Sequence, residues 1–103
     1  ERLQLPLVPD YATNNAHMYY LVAASADERD RLIAHLKAEG INAVFHYQSL
    51  HKSPFYADKY QGGELPRCDH YADGLLRLPL HYALTPEQIS GRIAPSIRNF
   101  YGL

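Results

Sequence analysis

The sequence predicts a small α/β domain in which a three-stranded sheet, in the order 1-3-2, carries helices on one face. Short runs rich in aliphatic and aromatic residues predict strands at about residues 17–23, 42–47 and 75–78. Helix-capping patterns predict a helix between the first two strands and another after the third. A right-handed crossover from strand one to strand two leaves space for strand three between them, so we expect an antiparallel or mixed sheet.

The beginning of the chain predicts an extended connector followed by a buried strand. Residues 1–16 contain Pro6 and Pro9 and have neither helical nor strand periodicity. Residues 17–23 are apolar at both alternating sets of positions, which is typical of a strand covered on both faces.

The first helix has a start signal and a stop signal. Ser25 and Glu28 have the spacing of a capping box, and Gly40 is the residue type that most easily ends a helix in a left-handed conformation. Leu32 and Leu36 lie four residues apart and predict an apolar stripe toward the core. Residues 43–45 then predict a short buried strand.

The second half of the chain alternates loop and helix. Residues 52–66 are loop-like, and Pro66 suits the first position of a short helix that reaches about Gly74. Thr85, followed by Pro86 and Gln88, predicts the start of a C-terminal helix. Pro95 lies inside that helix and removes a backbone donor, so we expect a kink or two short helices.

Composition excludes several classes of partner. The formal charge is −1, from 10 basic and 11 acidic residues, and no basic stripe supports nucleic-acid binding. The single cysteine, Cys68, cannot form an internal disulfide, which favours a reducing, cytoplasmic compartment. No apolar run approaches the roughly 18 residues that predict a membrane span. The chain starts at Glu1 rather than at methionine, which hints at a fragment.

A dense set of polar side chains follows the second predicted strand. These residues are His46, Tyr47, Gln48, Ser49 and His51. Side chains at the end of a strand are well placed to line a cleft, whereas a purely structural strand would have to satisfy each polar group separately. His46 could equally be a hydrogen-bonded histidine of the core.

Three alternative chemistries are weaker. His46, His51, His70 and Cys68 lack the close ligand spacing of a metal site, so we predict no metal. Cys68 and His70 resemble a thiol and its base, but a half-buried structural cysteine explains the pattern better. Lys52 could form a Schiff base, but no apolar pocket is visible around it to lower its pKa, and a solvated lysine is the simpler interpretation.

Three runs of the sequence resemble the C-terminal part of sugar-nucleotide aminotransferases of the DegT/DnrJ/EryC1/StrS group. They are residues 17–21, residues 40–47 with Leu50 and His51, and residues 76–81 with Leu84 and Thr85. The order and spacing of these runs extend the resemblance over about residues 5 to 101. The similarity is greatest to members that act on a dTDP-4-keto-6-deoxy sugar.

The resemblance implies the small domain of a fold-type I enzyme that uses pyridoxal phosphate. Such enzymes are usually homodimers and transfer an amino group from glutamate to the keto sugar of a nucleotide-sugar substrate. Residues 1–16 would then connect a missing large domain to a small domain at residues 17–103. The lysine that holds the cofactor would lie in the large domain, so no catalytic residue and no bound pyridoxal phosphate are expected in this chain.

The same resemblance places His51, His46 and Tyr47 where the small domain closes over substrate and cofactor, with His51 the first choice. A stand-alone regulatory or ligand-binding α/β module is the alternative, because a fold alone does not define a function.

Overall fold

The chain folds into a three-stranded antiparallel sheet with helices packed against it. A computed structural model describes residues 2–103. The elements up to the third strand are β1 (Tyr19–Val22), α1 (Ala26–Ala38), β2 (Val44–Phe45), a 3-10 turn (Leu50–Lys52), α2 (Pro66–Gly74) and β3 (Leu75–Leu78). The C-terminal elements are α3 (Pro86–Gln88), a π-helical turn (Ile89–Ile93) and α4 (Ala94–Tyr101).

The predicted strand order is confirmed. β3 is central and pairs antiparallel with both neighbours, so that Leu76 lies opposite Leu21 of β1 and Phe45 of β2. The sheet is therefore antiparallel throughout, one of the two forms that the sequence allowed. An antiparallel sheet of this kind can be covered on one face and open on the other.

The core lies between the sheet, α1 and the C-terminal helical segment. Leu32 and Leu36 of α1 are fully buried against Leu76 and Ile93, which confirms the predicted apolar stripe. Burying one leucine side chain contributes about 1.5 to 3 kcal/mol, so these few residues supply much of the fold's stability.

Both ends of α1 lie where the sequence predicts, although the capping box at its start forms only in part. The Ser25 hydroxyl accepts from the Glu28 N–H at 3.2 Å. The Glu28 carboxylate accepts from the N–H of Ala24, one residue before the cap, rather than from Ser25 itself. At the C-terminus, Gly40 has φ +73°, and the N–H of Ile41 donates to the Leu36 carbonyl at 2.8 Å. This geometry is a Schellman motif, in which the left-handed residue is most easily a glycine.

The prediction that residues 43–45 form a buried strand is wrong for two of the three residues. Ala43 is buried, but Val44 is 37% exposed and Phe45 is 49% exposed. The reason is that β2 is a two-residue edge strand. β1 is also shorter than predicted, and Tyr19 is exposed, so this strand is not covered on both faces along its length.

The first residues of the predicted connector make contacts that the sequence did not predict. Gln4 forms an antiparallel bridge with Val22, with N–O distances of 2.9 and 3.0 Å. Arg2 donates to the carbonyl of Tyr101 at 3.1 Å. The first described residues therefore extend the sheet beyond β1.

The C-terminal segment begins at the predicted capping box. The Thr85 hydroxyl accepts from the Gln88 N–H, and the Gln88 side chain accepts from the Thr85 N–H at 2.9 Å. The interruption expected near Pro95 takes the form of a π-helical turn immediately before it, in which the Ala94 N–H donates to the Ile89 carbonyl. π-bulges are a known cause of helix bending.

The chain is less compact than its length predicts. Its radius of gyration is 15.6 Å, against about 13 Å for a compact domain of this size. Within residues 2–103, no helix combines the length and apolarity needed to cross a membrane.

Candidate functional site

Tyr47 turns the chain at the end of β2 through an uncommon backbone conformation. Its φ is +66°, in the left-handed region that non-glycine residues rarely adopt. Its side chain is 69% exposed, and its ring lies against the ring of His46 with centroids 5.0 Å apart. Strained backbone of this kind is concentrated at functional sites, and here it presents an aromatic ring to the surface.

His46 has a buried ring nitrogen without a partner. Its Nδ1 atom is inaccessible to solvent and has no hydrogen-bond partner among the described residues. The interpretation of His46 as a hydrogen-bonded core histidine therefore does not describe this structure. Buried polar atoms without a hydrogen-bond partner are rare in folded proteins, so His46 is an unusual feature of this chain.

Arg77 is a residue near this site that the sequence reasoning missed. It lies on β3 between Tyr20 and Val44 in the register of the sheet, and its guanidinium carbon lies 6.0 Å from the centre of the Tyr47 ring. Its Nε atom is buried without an acceptor among the described residues. The signal was present in the sequence, because Arg77 is the only charged residue of a strand whose other three residues are leucines.

His51 belongs to a separate polar cluster that is organised around Asp69 of α2. Lys52 donates to Asp69 Oδ2 at 2.7 Å, and the Ser49 hydroxyl donates to Asp69 Oδ1 at 2.9 Å. The Nε2 atom of His51 lies 3.4 Å from Oδ1, which is close enough for an ion pair with a protonated ring but is not aligned as a hydrogen bond. The His51 side chain is only 10% exposed and packs beside the Tyr60 ring, with centroids 5.2 Å apart.

This cluster fixes the charge of its members. The hydrogen bond from Lys52 is the largest influence and holds the pKa of Asp69 below its usual value; desolvation opposes it, and the Ser49 hydroxyl adds a smaller lowering effect. The same bond to Asp69 raises the pKa of Lys52. Both groups are therefore charged at neutral pH, and the Lys52 amine is held in its non-nucleophilic, protonated form.

Two shallow clefts meet at this cluster. One, of about 520 Å³, is lined by His51, Lys52, Tyr60 and Asp69 with the glycines of the following loop. The other, of about 430 Å³, is lined by Tyr47, Ser49 and Lys52, among others. The structure therefore places Tyr47 and His51 on adjoining clefts that share Lys52, and it stacks His46 on Tyr47.

The alternative cysteine chemistry does not have the geometry it needs. Cys68 is exposed rather than half-buried as predicted, and its thiol donates to the Ser49 hydroxyl at 3.7 Å. His70 instead stacks edge-on against Tyr71. Among the residues that the structure describes, no three metal-binding side chains lie close enough to hold a metal ion.

The lysines of this chain do not fit covalent attachment of pyridoxal phosphate. Lys52 is paired with Asp69, Lys59 donates to the Phe55 carbonyl at 2.7 Å, and Lys37 is an exposed residue in the last turn of α1. None of them lies in an apolar pocket that would lower its pKa and free its amine for attack on a carbonyl.

The comparison with known proteins gives one family. The model of the DegT/DnrJ/EryC1/StrS aminotransferase family matches residues 2–98. The chain is 32% identical over 101 residues to a pleiotropic regulatory protein of Geobacillus stearothermophilus, covering 93% of this chain and 27% of that protein. It is 35% identical over 75 residues to the dTDP-3-amino-3,4,6-trideoxy-alpha-D-glucose transaminase of Streptomyces venezuelae, covering 71% of this chain and 20% of the relative.

Solved structures agree with the fold. The crystal structure of S. venezuelae DesV in complex with a ketimine intermediate superposes with a TM-score of 0.84 at 29% identity, over 97% of this chain and 26% of that one. The small-domain fold predicted from the resemblance is thereby confirmed. This chain belongs to the DegT/DnrJ/EryC1/StrS aminotransferase family. It spans about a quarter of the length of the curated relatives it matches.

Proposed function

We propose that this chain is the C-terminal small domain of an aminotransferase that uses pyridoxal phosphate to transfer an amino group from glutamate to a dTDP-4-keto-6-deoxy sugar. A parent that forms dTDP-4-amino-4,6-dideoxygalactose is the specific form of the proposal. Residues 1–16 connect the large domain to residues 17–103, and the parent is a cytoplasmic homodimer that supplies precursors of cell-surface polysaccharide.

Two observations together carry the proposal. The family match covers nearly all of this chain, but this chain covers only a small part of its relatives. The family model covers residues 2–98, yet the chain spans 27% of one relative and 20% of another. None of its lysines fits the cofactor, and its radius of gyration exceeds that of a compact domain. A domain that normally packs on a larger partner accounts for these features together.

The proposed role of the chain is to position substrate rather than to perform covalent chemistry. Pyridoxal phosphate, when bound in the parent, acts as the electron sink of the reaction. Tyr47 offers an exposed ring and hydroxyl, His51 borders the adjoining cleft, and His46 supports the Tyr47 ring by stacking against it. Such groups suit hydrogen bonds to sugar hydroxyls and phosphate oxygens, and the small domain excludes water when the cleft closes.

The parent enzyme tests this role by separating its two half-reactions. We expect His51→Ala to slow transamination of the keto-sugar nucleotide by the equivalent of one lost hydrogen bond, roughly 0.5 to 3 kcal/mol. The half-reaction with glutamate should change much less, because the imidazole is proposed to face the sugar. His70→Ala is the matched control, since His70 is an exposed histidine of α2 outside both clefts. Equal effects of the two substitutions would refute the assignment of His51.

The isolated chain should bind no cofactor covalently. Incubation with pyridoxal phosphate and borohydride, followed by mass spectrometry of the digested protein, should show no stoichiometric adduct at a single lysine. A stoichiometric adduct at Lys52 would show that the Asp69 ion pair does not protect the amine and would overturn the proposal that the cofactor lysine lies elsewhere.

A regulatory parent is the second candidate function, and one observation favours it. One relative, aligned over 101 residues of this chain, is named a pleiotropic regulatory protein. Purified parent protein distinguishes the two candidates, because only an aminotransferase will convert glutamate to 2-oxoglutarate when a keto-sugar nucleotide is supplied.

A further inference from the structure

One carboxylate of α2 holds both ends of the turn that carries His51. The turn spans Leu50–Lys52. Ser49, directly before it, donates to Asp69 Oδ1 at 2.9 Å, and Lys52, its last residue, donates to Asp69 Oδ2 at 2.7 Å. His51 therefore lies between two points that are fixed to the same side chain, which is 20 residues from Ser49 along the chain.

The turn has little of its own to keep it in place. It is a single 3-10 turn of three residues, closed by two backbone hydrogen bonds of 3.0 and 3.1 Å, and such turns have poorer hydrogen-bond geometry than α-helices. None of its three residues is fully buried, and Leu50 is 67% exposed. The Ser49 hydroxyl, which at this position commonly caps a helix, is directed to Asp69 instead.

Asp69 itself lies on a well-supported element. Its N–H donates to the Leu65 carbonyl at 3.0 Å, as in a regular helical turn. α2 is attached to α1 through Arg29, whose guanidinium donates to the Ala72 carbonyl at 2.9 Å. The last residue of α2, Gly74, is buried and accepts a 2.9 Å hydrogen bond from the residue after β1. A side chain on such an element holds a loop more precisely than a second loop could.

Both oxygens of the Asp69 carboxylate are already engaged. Oδ2 accepts from Lys52, and Oδ1 accepts from Ser49 and lies 3.4 Å from Nε2 of His51. The pKa of Asp69 is lowered, above all by the hydrogen bond from Lys52, so the group is ionised at neutral pH and has no proton to donate. This carboxylate is therefore suited to holding the turn rather than to acid–base catalysis.

We propose that Asp69 is a positioning residue of the aminotransferase, which holds the turn at Leu50–Lys52 so that the His51 imidazole borders the cleft of about 520 Å³. Asp69 acts through His51 and does not itself react. The inference rests on the proposed function and deepens it, because it assigns the residue that orients the imidazole. A binding group that is oriented in advance loses less freedom when the substrate arrives.

Amide exchange of the 103-residue chain, followed by NMR, tests whether Asp69 holds the turn. The amides to follow are those of Lys52 and Ser53, whose hydrogen bonds close the turn. Asp69→Asn should speed their exchange roughly three- to tenfold, because the amide keeps the shape of the carboxylate but offers no charge to Lys52. The Ile41 amide, at the end of α1, should exchange as in the wild type and so report that the fold is intact.

Asp58→Asn is the matched control. Asp58 is exposed in the loop after the turn, lines neither of the two clefts beside His51, and its substitution changes the net charge equally. It should leave the exchange of both amides unchanged. Unchanged exchange in Asp69→Asn, or equal acceleration by Asp58→Asn, overturns the proposal.

A second variant keeps the test decisive if Asp69→Asn fails to fold. The Lys52 side chain is 60% exposed, so Lys52→Gln releases one end of the turn without disturbing the core. The Ser53 amide should then exchange faster than in the wild type, after correction for the intrinsic rate beside the new residue. An unchanged rate overturns the proposal.

The parent enzyme tests the positioning role through a double-mutant cycle. Asp69→Asn should slow the half-reaction with the keto-sugar nucleotide roughly three- to tenfold and should change the half-reaction with glutamate much less. In a His51→Ala background the same substitution should change the rate by no more than about twofold, because its effect passes through the missing imidazole. A residue that only stabilises the fold would slow both half-reactions, and its effect would persist without His51. Either of these results overturns the positioning role.

Failure of this inference and failure of the proposed function give different results. If the wild-type parent does not transaminate the keto sugar, the proposed function is wrong and the positioning role is wrong with it. If the wild type is active but the effects of Asp69→Asn and His51→Ala are independent, only the assignment of Asp69 is wrong. Amide exchange in the chain is measured without either half-reaction.

Discussion

Gly74 is the last residue of α2 and directly precedes β3. A Cβ atom built at residue 74 would lie 2.5 Å from the backbone oxygen of Ala23 and 3.0 Å from Cγ1 of Val22. The φ of Gly74 is not in the left-handed region, so alanine can adopt its backbone conformation. We therefore expect Gly74→Ala to destabilise the protein for a steric reason alone.

The magnitude follows from the two contacts that must change. Overpacking a well-filled site typically costs about 1 to 3 kcal/mol. Because the obstructing atom belongs to the backbone, relief also moves Ala23 away from the 2.9 Å hydrogen bond that its N–H donates to the Gly74 carbonyl, worth about 0.5 to 1.5 kcal/mol. The sum is about 1.5 to 4.5 kcal/mol, or a fall in Tm of roughly 6 to 36 °C for a domain of this size.

Urea unfolding followed by circular dichroism measures this loss, and Gly91→Ala provides the matched control. A Cβ atom at residue 91 meets no atom within 4 Å, and the residue is helical. We expect Gly91→Ala to stabilise the protein by about 0.4 to 1 kcal/mol through the lower entropy of the unfolded chain. Equal stability of the two variants would show that the contact at Gly74 does not restrain β1 and would refute this reasoning.

Three further predictions concern the polar cluster, the core and the surface. Because the pKa of Asp69 is lowered in the folded protein, its contribution to stability is present above the unfolded value and is lost as pH falls through the folded value. Urea unfolding at pH 7 and pH 3 should therefore show a smaller acid loss in Asp69→Asn than in the wild type, and equal losses would exclude a stabilising role for this carboxylate. Thermal unfolding should show that Leu36→Ala, which truncates a fully buried side chain, lowers the free energy of unfolding by about 2 to 5 kcal/mol. His51→Ala should lower it by about 1 kcal/mol through its lost contact with Tyr60. The reverse order would make His51 chiefly structural. Analytical ultracentrifugation should detect self-association at high concentration through the apolar groove lined by Leu5, Tyr19 and their neighbours, and a strictly monomeric chain would favour the stand-alone module.

Local patterns determined the helices and their ends. The cap at Ser25, the Schellman turn at Gly40 and the capping box at Thr85 each depend on hydrogen bonds between residues no more than five positions apart. Such bonds are set by residue type and spacing, which a sequence shows directly. The strand order was also predicted correctly, since a right-handed crossover from strand one to strand two leaves space for the third strand between them.

The exposure of β2 was not predictable in the same way. Val44 and Phe45 have the composition of a buried strand, and burial depends on which other segments cover them. The helical layer covers the centre of the sheet and leaves this edge open. Composition could not distinguish a strand that is buried within its own chain from one that is free to be covered by another.

The candidate site was likewise predictable only in part. The resemblance to a family identified His46, Tyr47 and His51 from a single contiguous stretch of sequence, and their contribution to a substrate cleft stays a prediction. The sequence alone could not show that Asp69, 20 residues from Ser49, organises the turn that carries His51. Nor could it show that Arg77 and Arg92 share a cleft with histidines at residues 17 and 81. Residue types and local periodicity can be read directly from the sequence. The partners of a buried charge depend on how distant segments pack, and only the tertiary structure decides that packing.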